Sequence, residues 1–408
     1  PYRRQSVSSV ASMESIDSPL PKHQLERLGS DEDIPDVYKI LEFVAMTIWG
    51  WATLSVENVS KQARTAAEEK VQKALEEGGK DASIADLKKR AIDAGLGSGI
   101  PDLLIALSRM SGSDVDLYRG TEQHKESLDL IDACASGAIS TASIVGELAN
   151  KLLTSGVVDI LLRLLFSPQI DCRRCAACAL ETLIASNDEG CLDVIRKGGL
   201  DSMLDVLDPR GDHLDLETSR ELKSTCGSSL MKMSFKIFNE LPELRIEQVV
   251  NAFVVAVEEA KEYEQSKSLQ SFLGCTLWRF CYNKSNCEKI GEKGGIEPMT
   301  KCAFEITKRI MSNNTTMYEE IDICVLEFMV SALWLLSYDN HNADLMRDAS
   351  SREDQPDAIL TLVYVISLEH SKRFEYLHEN SCKALWVLCM RKENARLAVQ
   401  YGLTDAVK

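Results

Sequence analysis

Two kinds of pattern are missing from this sequence, and each absence disfavours a class of protein. Alternating β-branched runs bounded by hairpin turns are nearly absent, which disfavours a fold built on β-sheets. The motifs of common active sites are missing too, among them HExxH and the GxSxG nucleophile turn. Residues 95–99 are rich in glycine but lack the strand and the lysine of a phosphate-binding loop. We therefore predict a protein that is not an enzyme, with no catalytic residue and no cofactor.

Basic residues are scarce relative to acidic ones. The chain has 46 Lys and Arg against 63 Asp and Glu, which gives a formal net charge of −17 at pH 7. An overall field of that sign repels the phosphate backbone of nucleic acids. We therefore expect protein partners and no nucleic-acid partner.

Long apolar runs are equally scarce, and the one candidate for a membrane segment is residues 43–56. This run is shorter than the roughly 20 residues that a membrane-spanning helix needs. Charged residues flank it on both sides, at Lys39, Glu42 and Glu57. We predict a buried helix here, with a role at a membrane surface as the alternative.

The 13 cysteines are odd in number, and most of them lie in apolar stretches with helical spacing. Buried free cysteines of this kind indicate a reducing compartment, which favours the cytoplasm and allows the nucleus. Cys172, Cys175 and Cys178 have the spacing CxxCxxC, which can bind a metal ion. We interpret them as residues of a helix in the repeat pattern, because Arg173 and Arg174 would repel a cation. No metal site is predicted.

A short phrase recurs along the chain: a small residue, a leucine, any two residues and a large apolar residue. Successive leucines lie roughly 40 to 56 residues apart, a period typical of helical repeat proteins. The leucine and the apolar residue three positions later share one helix face, which a single repeat cannot bury alone. The five leucines are Leu180, Leu230, Leu277, Leu333 and Leu385, and a weaker copy precedes them at Ala138 and Ile139.

These residues resemble the armadillo family. The stretches 169–207, 271–299 and 380–407 are similar to an armadillo third helix followed by a turn and the next repeat. A Gly followed by a branched apolar residue recurs after the phrase, for example at Gly199 and Gly295, and is expected to form a tight turn between helices. The resemblance implies an all-α fold, a right-handed α-solenoid of armadillo-type repeats with a disordered N-terminal tail.

We predict three regions along the chain. Residues 1–33 are Ser-rich and form the disordered tail, residues 34–94 form an N-terminal helical region or cap, and residues 95–408 form the repeat array. The array is expected to be truncated at its C-terminal end, because residues 402–408 look like the first helix of a further repeat. Within the tail, Ser6, Ser18 and Ser30 lie in sequences typical of phosphorylation sites.

The resemblance also indicates where a partner would bind. In armadillo proteins the third helix of each repeat lines the concave face, and three tryptophans here directly follow the phrase leucine. In importin-α-like proteins such tryptophans receive the side chains of a basic peptide, and asparagines four residues later hold its backbone. Tyr282, Tyr338 and Met390 replace those asparagines, which disfavours recognition of nuclear localisation signals and leaves a tryptophan-lined groove. The predicted groove residues are Trp278, Arg279, Tyr282, Trp334, Tyr338 and Trp386.

Two interpretations of the tryptophans remain open at this point. They line a groove that binds an extended segment or a helix of a partner protein, since Trp, Tyr and Arg are frequent interface anchors. Alternatively, they pack between helices and only stabilise the array. The function that we predict is a non-catalytic protein-interaction scaffold. The alternative is the non-catalytic repeat arm of a larger enzyme or regulatory protein.

Overall fold

The computed structural model describes most of the chain from residue 135 to residue 406, and every regular element in that part is a helix. The predicted tail (1–33), cap (34–94) and membrane-surface segment (43–56), and the three serines, lie outside the described residues. Within 135–406, the residues not described are 141, 144–145, 168, 187, 209–215, 238, 264–265, 313–319, 349–355 and 370.

The chain divides into two compact units, Pro1–Ser186 and Asn187–Lys408. In the first unit the named helices are α1 (Gly146–Thr154), α2 (Val157–Leu164) and α3 (Ile170–Ser186). In the second unit they are α4 (Asp188–Arg196), α5 (Gly199–Leu207), α6 (Leu216–Ser234), α7 (Glu243–Glu259), α8 (Ser266–Phe280), α9 (Lys284–Glu292), α10 (Ile296–Ser312), α11 (Glu320–Leu336), α12 (Asn340–Asp348), α13 (Ala358–Ile366), α14 (Glu375–Leu388), α15 (Lys392–Gln400) and α16 (Leu403–Ala406).

The helices follow the order of an armadillo repeat, a short first helix, a second helix and a long third helix, except that no first helix is described between α6 and α7. The third helices are α3, α6, α8, α11 and α14, and each carries one copy of the leucine phrase. All five phrase leucines are buried, with at most 2% of each side chain exposed. The predicted all-α fold of armadillo type is therefore confirmed for the described residues.

The third helices of the second unit pack side by side in chain order. α6 contacts α8, α8 contacts α11, and α11 contacts α14. Each third helix also packs against the second helix of its own repeat, as α8 does against α7. The phrase residues fill this continuous core, because a single helix pair could not cover them.

Four of the described turns between first and second helices contain a left-handed glycine, and two of these turns carry a second glycine directly after it. At Gly156 and Gly402 the predicted glycine is the left-handed residue, whereas at the two Gly-Gly pairs the left-handed residues are Gly198 and Gly294, one position before the predicted Gly199 and Gly295. Gly295 is needed for a different reason: a β-carbon there would lie 2.7 Å from Ile290 Cγ2 and 3.0 Å from the Ile290 carbonyl oxygen. The first glycine therefore supplies the backbone conformation, and the second lets α10 start close to α9.

The first helices are tied to the preceding structure by buried asparagines at the third position of α9, α12 and α15. Asn286 Oδ1 accepts a hydrogen bond from the Leu241 amide at 2.9 Å, and Asn342 Nδ2 donates to the Cys287 carbonyl at 3.0 Å. Asn394 Nδ2 donates to the Leu388 carbonyl at 3.0 Å. These bonds join each first helix to the backbone of the structure before it; the Leu388 carbonyl also accepts from the Arg391 amide at 3.2 Å.

The predicted start of a further repeat at residues 402–408 is wrong in one respect. α15 precedes it and occupies the place of a first helix, so α16 stands where a second helix begins. Asp357 links this end to the repeat before it. One of its oxygens caps α13 through the Leu360 amide at 2.7 Å, and the other accepts from the Tyr401 hydroxyl at 2.6 Å.

Candidate functional site: a row of aromatic residues on the third helices

The predicted groove residues all lie in the second unit, on neighbouring third helices or in the turns that follow them. Aligned on the phrase leucines, the residue directly after each leucine and the residue four positions later form two columns of large side chains. We call these eight residues the aromatic row: Met231 and Phe235 at α6, Trp278 and Tyr282 at α8, Trp334 and Tyr338 at α11, and Trp386 and Met390 at α14.

Trp278 is half-buried because the next third helix covers one face of its ring. Phe328 of α11 stacks on the indole with ring centroids 5.7 Å apart and an angle of 23°. The Tyr282 ring meets the same indole edge-on, at 5.7 Å and 65°. Trp278 therefore serves both as a packing residue between α8 and α11 and as a side chain of the row.

Arg279 lies among three rings of the row. Its guanidinium carbon is 4.6 Å from the centroid of Phe235, 4.8 Å from that of Tyr282 and 5.7 Å from that of Trp278. Contacts of this length between a guanidinium and aromatic faces are favourable. Arg279, one of the predicted groove residues, therefore links the Phe235 ring at α6 to the Trp278 and Tyr282 rings at α8.

Trp334 is also half-buried, and its partners are polar. Its indole Nε1 donates a hydrogen bond to the Tyr338 hydroxyl at 3.2 Å. Lys383 of α14 places its ammonium 4.7 Å from the centroid of the Trp334 ring and forms an ion pair with Glu379 at 2.6 Å. A lysine of the protein itself thus occupies a cation–π position on this tryptophan.

The other members of the row are more open to solvent. The exposed fractions are 51% for Tyr282, 60% for Tyr338, and 68% for both Trp386 and Met390. In the part of the chain that the structure describes, no third helix follows α14, and Trp386 there lacks the kind of cover that α11 gives Trp278. The structure therefore places the three tryptophans in different environments, and neither sequence interpretation describes all of them.

Glu327 lies on the same face of α11 as Trp334 and Tyr338, since helix residues 7 and 11 positions apart lie on nearly the same side. Burial raises the pKa of its carboxyl group above the ordinary value of 4.5. Among the described residues this half-buried carboxylate has no ion-pair partner. In α14 the equivalent acid, Glu379, pairs with Lys383, whereas in α11 the residue at the lysine position is the buried Ser331.

Sequence reasoning missed four residues of this surface: Phe235, Phe328, Lys383 and Glu327. Phe235 could have been found from the repeat alignment, because it stands four residues after Met231 as Tyr282 does after Trp278. Phe328 and Glu327 carry a similar signal, because they align with Phe272 and Glu379 of other repeats, whereas Lys383 aligns with Ser331. Their place depends on which residues of one third helix face the tryptophan of the previous one.

The sequence also contains the CxxCxxC cysteines as a candidate metal site. Cys172 is buried, and Cys175 and Cys178 are half-buried on α3. Within the described residues no group of three or more His, Cys, Asp or Glu side chains is arranged to hold a metal ion. None of the helices that the structure describes has the length and apolar character needed to cross a membrane.

No protein-family model matches the sequence, and no curated protein matches it. Over most of its length the chain is structurally similar to designed armadillo repeat proteins. One was computationally designed for modular peptide recognition; it is 16% identical, with a TM-score of 0.45 over 70% of this chain and 99% of that one. A second, in complex with the peptide (KR)4, is 15% identical, with a TM-score of 0.44 over 70% of this chain and 99% of its own. An engineered protein is 16% identical, with a TM-score of 0.47 over 90% of this chain and 88% of its own.

Proposed function

We propose that the protein is a non-catalytic interaction scaffold that binds a segment of a partner protein along the aromatic row. The observation that carries this proposal is the repetition of exposed aromatic or large apolar residues at equivalent positions of consecutive, mutually packed third helices. Isolated exposed apolar residues are common on protein surfaces, but a contiguous series is typical of an interaction site. Tyr and Trp are also the residues most often found as interface anchors.

The charges beside the row indicate the chemistry of the partner. Lys383 contacts both the Trp334 ring and the Glu379 carboxylate, so this repeat already holds its own cation. In the preceding repeat Glu327 has the buried Ser331 where Glu379 has Lys383, so this repeat supplies no lysine of its own to the carboxylate. A lysine or arginine of the partner placed there would pair with a carboxylate that is costly to keep half-buried alone. We therefore propose a partner segment that carries at least one basic residue.

The compartment that we propose is the reducing cytoplasm, with the nucleus as a second location. The described cysteines form no disulfides, and seven of them are buried. Burial raises the pKa of Cys275 and of Cys302 to about 12, so these two thiols are protonated and unreactive near neutral pH.

Affinity capture with a matched pair of variants tests the binding proposal. The surface variant combines Tyr282→Ala, Tyr338→Ala and Trp386→Ala, which are the exposed aromatic residues of the row between α8 and α14. Trp278 is left unchanged because its loss would remove the stacking contact with Phe328. The control variant combines Leu244→Ala, Met311→Ala and Val399→Ala, which are exposed apolar residues on other helices.

We expect the surface variant to lose a set of partners that both the wild-type protein and the control variant capture, with circular dichroism showing all three proteins folded. Glu327→Gln should weaken the same partners by about tenfold, because a buried pair with a basic residue loses its charge. Identical captures by the wild-type protein and the surface variant would end the proposal.

A further inference from the structure

The N-terminal halves of the third helices carry a second series of residues on the side of the aromatic row. These residues lie ten and six positions before each phrase leucine, which is 11 and 7 positions before the first residue of the row, and such spacings keep them on nearly the same side of the helix. We call this series the charged band: Arg220 and Ser224 of α6, Lys267 and Ser271 of α8, Glu327 of α11, and Glu375 and Glu379 of α14. The remaining equivalent position, Ile323 of α11, is buried.

The sign of the charge changes along the band between α8 and α11. The only charged residues of α8 are Lys267 and Arg279, which are both basic. All charged residues of α11 are acidic, and so are both members of the band on α14. Because the third helices pack in the order α6, α8, α11 and α14, one end of the band is basic and the other end is acidic.

Arg220, at the basic end, carries a charge that no acidic residue in the described part of the chain neutralises. Its guanidinium carbon lies 3.4 Å from the centroid of the Tyr263 ring, so the group is held flat on that ring. Its Nε and Nη2 atoms are buried and have no hydrogen-bond partner. Since the residue as a whole is only half-buried, an anion from solvent can approach the guanidinium.

Glu327 carries the opposite uncompensated charge on α11, two third helices away from Arg220. Packed helices lie about 10 Å apart, so the two charges are separated by about 20 Å across the helices. An extended chain covers that distance with about six residues. Both side chains are partly removed from water, where a pair with an opposite charge is worth more than at an exposed site.

A uniformly charged ligand does not match this arrangement. A purely acidic segment would face the carboxylates of Glu327, Glu375 and Glu379 at one end. A purely basic segment would face Arg220 and Lys267 at the other end. Like charges that meet across an interface are unfavourable, so the band selects a segment in which acidic and basic residues are separated.

We infer that the charged band binds an extended segment of a partner protein that places an acidic residue at Arg220 and a basic residue at Glu327, about six residues apart. Successive side chains of an extended chain point to opposite sides, so alternate residues face the band and the aromatic row. This inference rests on the proposed function, and it adds the acidic residue and the distance between the two charges.

Synthetic peptides test this inference. The probe is a fluorescein-labelled peptide with two glutamates, a spacer of five alternating leucines and prolines, and two arginines. It is made in both charge orders, because an extended segment can run along the band in either direction. One truncated probe has serines in place of the glutamates, and another has serines in place of the arginines. Fluorescence anisotropy at low ionic strength measures the affinities, because salt screens such contacts.

We expect Arg220→Gln and Glu327→Gln each to weaken binding of the full probe by about tenfold. The double variant should lose about hundredfold, because effects at distant sites add in free energy. Arg220→Gln should not alter the affinity of the probe without glutamates, and Glu327→Gln should not alter that of the probe without arginines. Lys284→Gln, at a position on α9 that is 84% exposed, is the control and should leave all affinities unchanged.

Three results would overturn the inference. One is that the full probe binds in neither charge order. Another is that Arg220→Gln weakens both truncated probes equally, since Arg220 would then act only through the fold. The third is that a peptide with arginines at both ends binds more tightly than the full probe. If the surface variant with the three aromatic substitutions still loses captured partners, any of these results ends this inference alone and the proposed function stands.

Discussion

Asp357 is a buried residue whose carboxylate forms hydrogen bonds that hold the fold together, although burial disfavours its charge. Its side chain is 1% exposed, caps α13 and accepts a hydrogen bond from Tyr401 of the following repeat. Burial raises the pKa of the carboxyl group above its ordinary value of 3.8, and the bonds from Tyr401 and from two backbone amides only partly oppose this. The carboxylate is therefore held by specific bonds in a place that disfavours its charge.

Replacing Asp357 separates the cap from the charge. Asp357→Ala should lower the free energy of unfolding by about 1–2 kcal/mol, because the cap and the Tyr401 contact are lost. Asp357→Asn keeps an acceptor for Leu360 and a donor for Tyr401 while removing the buried charge. The raised pKa means that the folded state retains this proton to higher pH than the unfolded state, so stability from this group is present below pH 3.8 and is lost as the pH rises through the folded-state pKa.

We therefore expect Asp357→Asn to gain stability relative to the wild-type protein as the pH rises from about 4 to about 7. Urea denaturation of both proteins at several pH values measures this difference. A wild-type protein that becomes more stable than the Asn variant with rising pH would contradict the account.

At the level of helices and turns, Gly294 and Gly295, which lie between α9 and α10, have different structural roles. Gly294 adopts a φ of +76°, and a side chain there has open space around it. Gly295 has no such backbone requirement, but a β-carbon there would collide with Ile290. The repeat therefore depends on a conformation at one position and on close packing at the next.

Substitutions distinguish these tasks. Gly294→Ala should cost about 1–2 kcal/mol through left-handed strain. Gly294→Asn should cost less, because asparagine tolerates that conformation. Gly295→Ala should cost about 1–3 kcal/mol through overpacking, and Gly295→Asn should be worse still. Chemical denaturation measures all four variants, and equal effects of Asn at both positions would contradict the assignment.

The buried asparagines of the first helices make a second prediction at this level. Asn342→Ala should lower the free energy of unfolding by about 1–3 kcal/mol, because the buried side-chain hydrogen bond to the Cys287 carbonyl is lost. His341→Ala, at the exposed neighbouring position, is the control and should change stability by less than about 0.5 kcal/mol. A loss of similar size in both variants would mean that the side-chain bond is not the cause.

The helices and the repeat order could be predicted from the sequence because the leucine phrase depends only on spacing within one helix. The predicted turn glycine was the left-handed one at Gly156 and Gly402 and was wrong by one residue at the two Gly-Gly pairs, since two adjacent glycines are equivalent until Val194 or Ile290 is placed near one of them. The environments of the tryptophans could not be predicted, because Phe328 and Lys383 come from the following third helix. Equivalent positions of different repeats therefore differ in burial, because the side chains that cover them belong to the next repeat.

Across the second unit, apolar packing of third helices carries the stability and ion pairs join the repeats at the surface. Arg245 pairs with Asp201 at 2.7 Å, and Lys301 pairs with Glu258 at 3.2 Å. The Lys301–Glu258 pair is about half exposed and is expected to contribute about 1 kcal/mol or less, whereas the Arg245 side chain is only 18% exposed. The exposed residues of the aromatic row, Tyr338, Trp386 and Met390, contribute little to this packing.

The most direct test of the proposed function is site-specific photo-crosslinking. A photoreactive phenylalanine analogue is introduced in place of Tyr338 in one protein and of Met311 in another, since both residues are exposed but only Tyr338 belongs to the aromatic row. Each protein is irradiated in extract from the cells that produce it. The account predicts discrete crosslinked partners from position 338 and none of these from position 311. The same partners from both positions, or partners from position 311 alone, would contradict it.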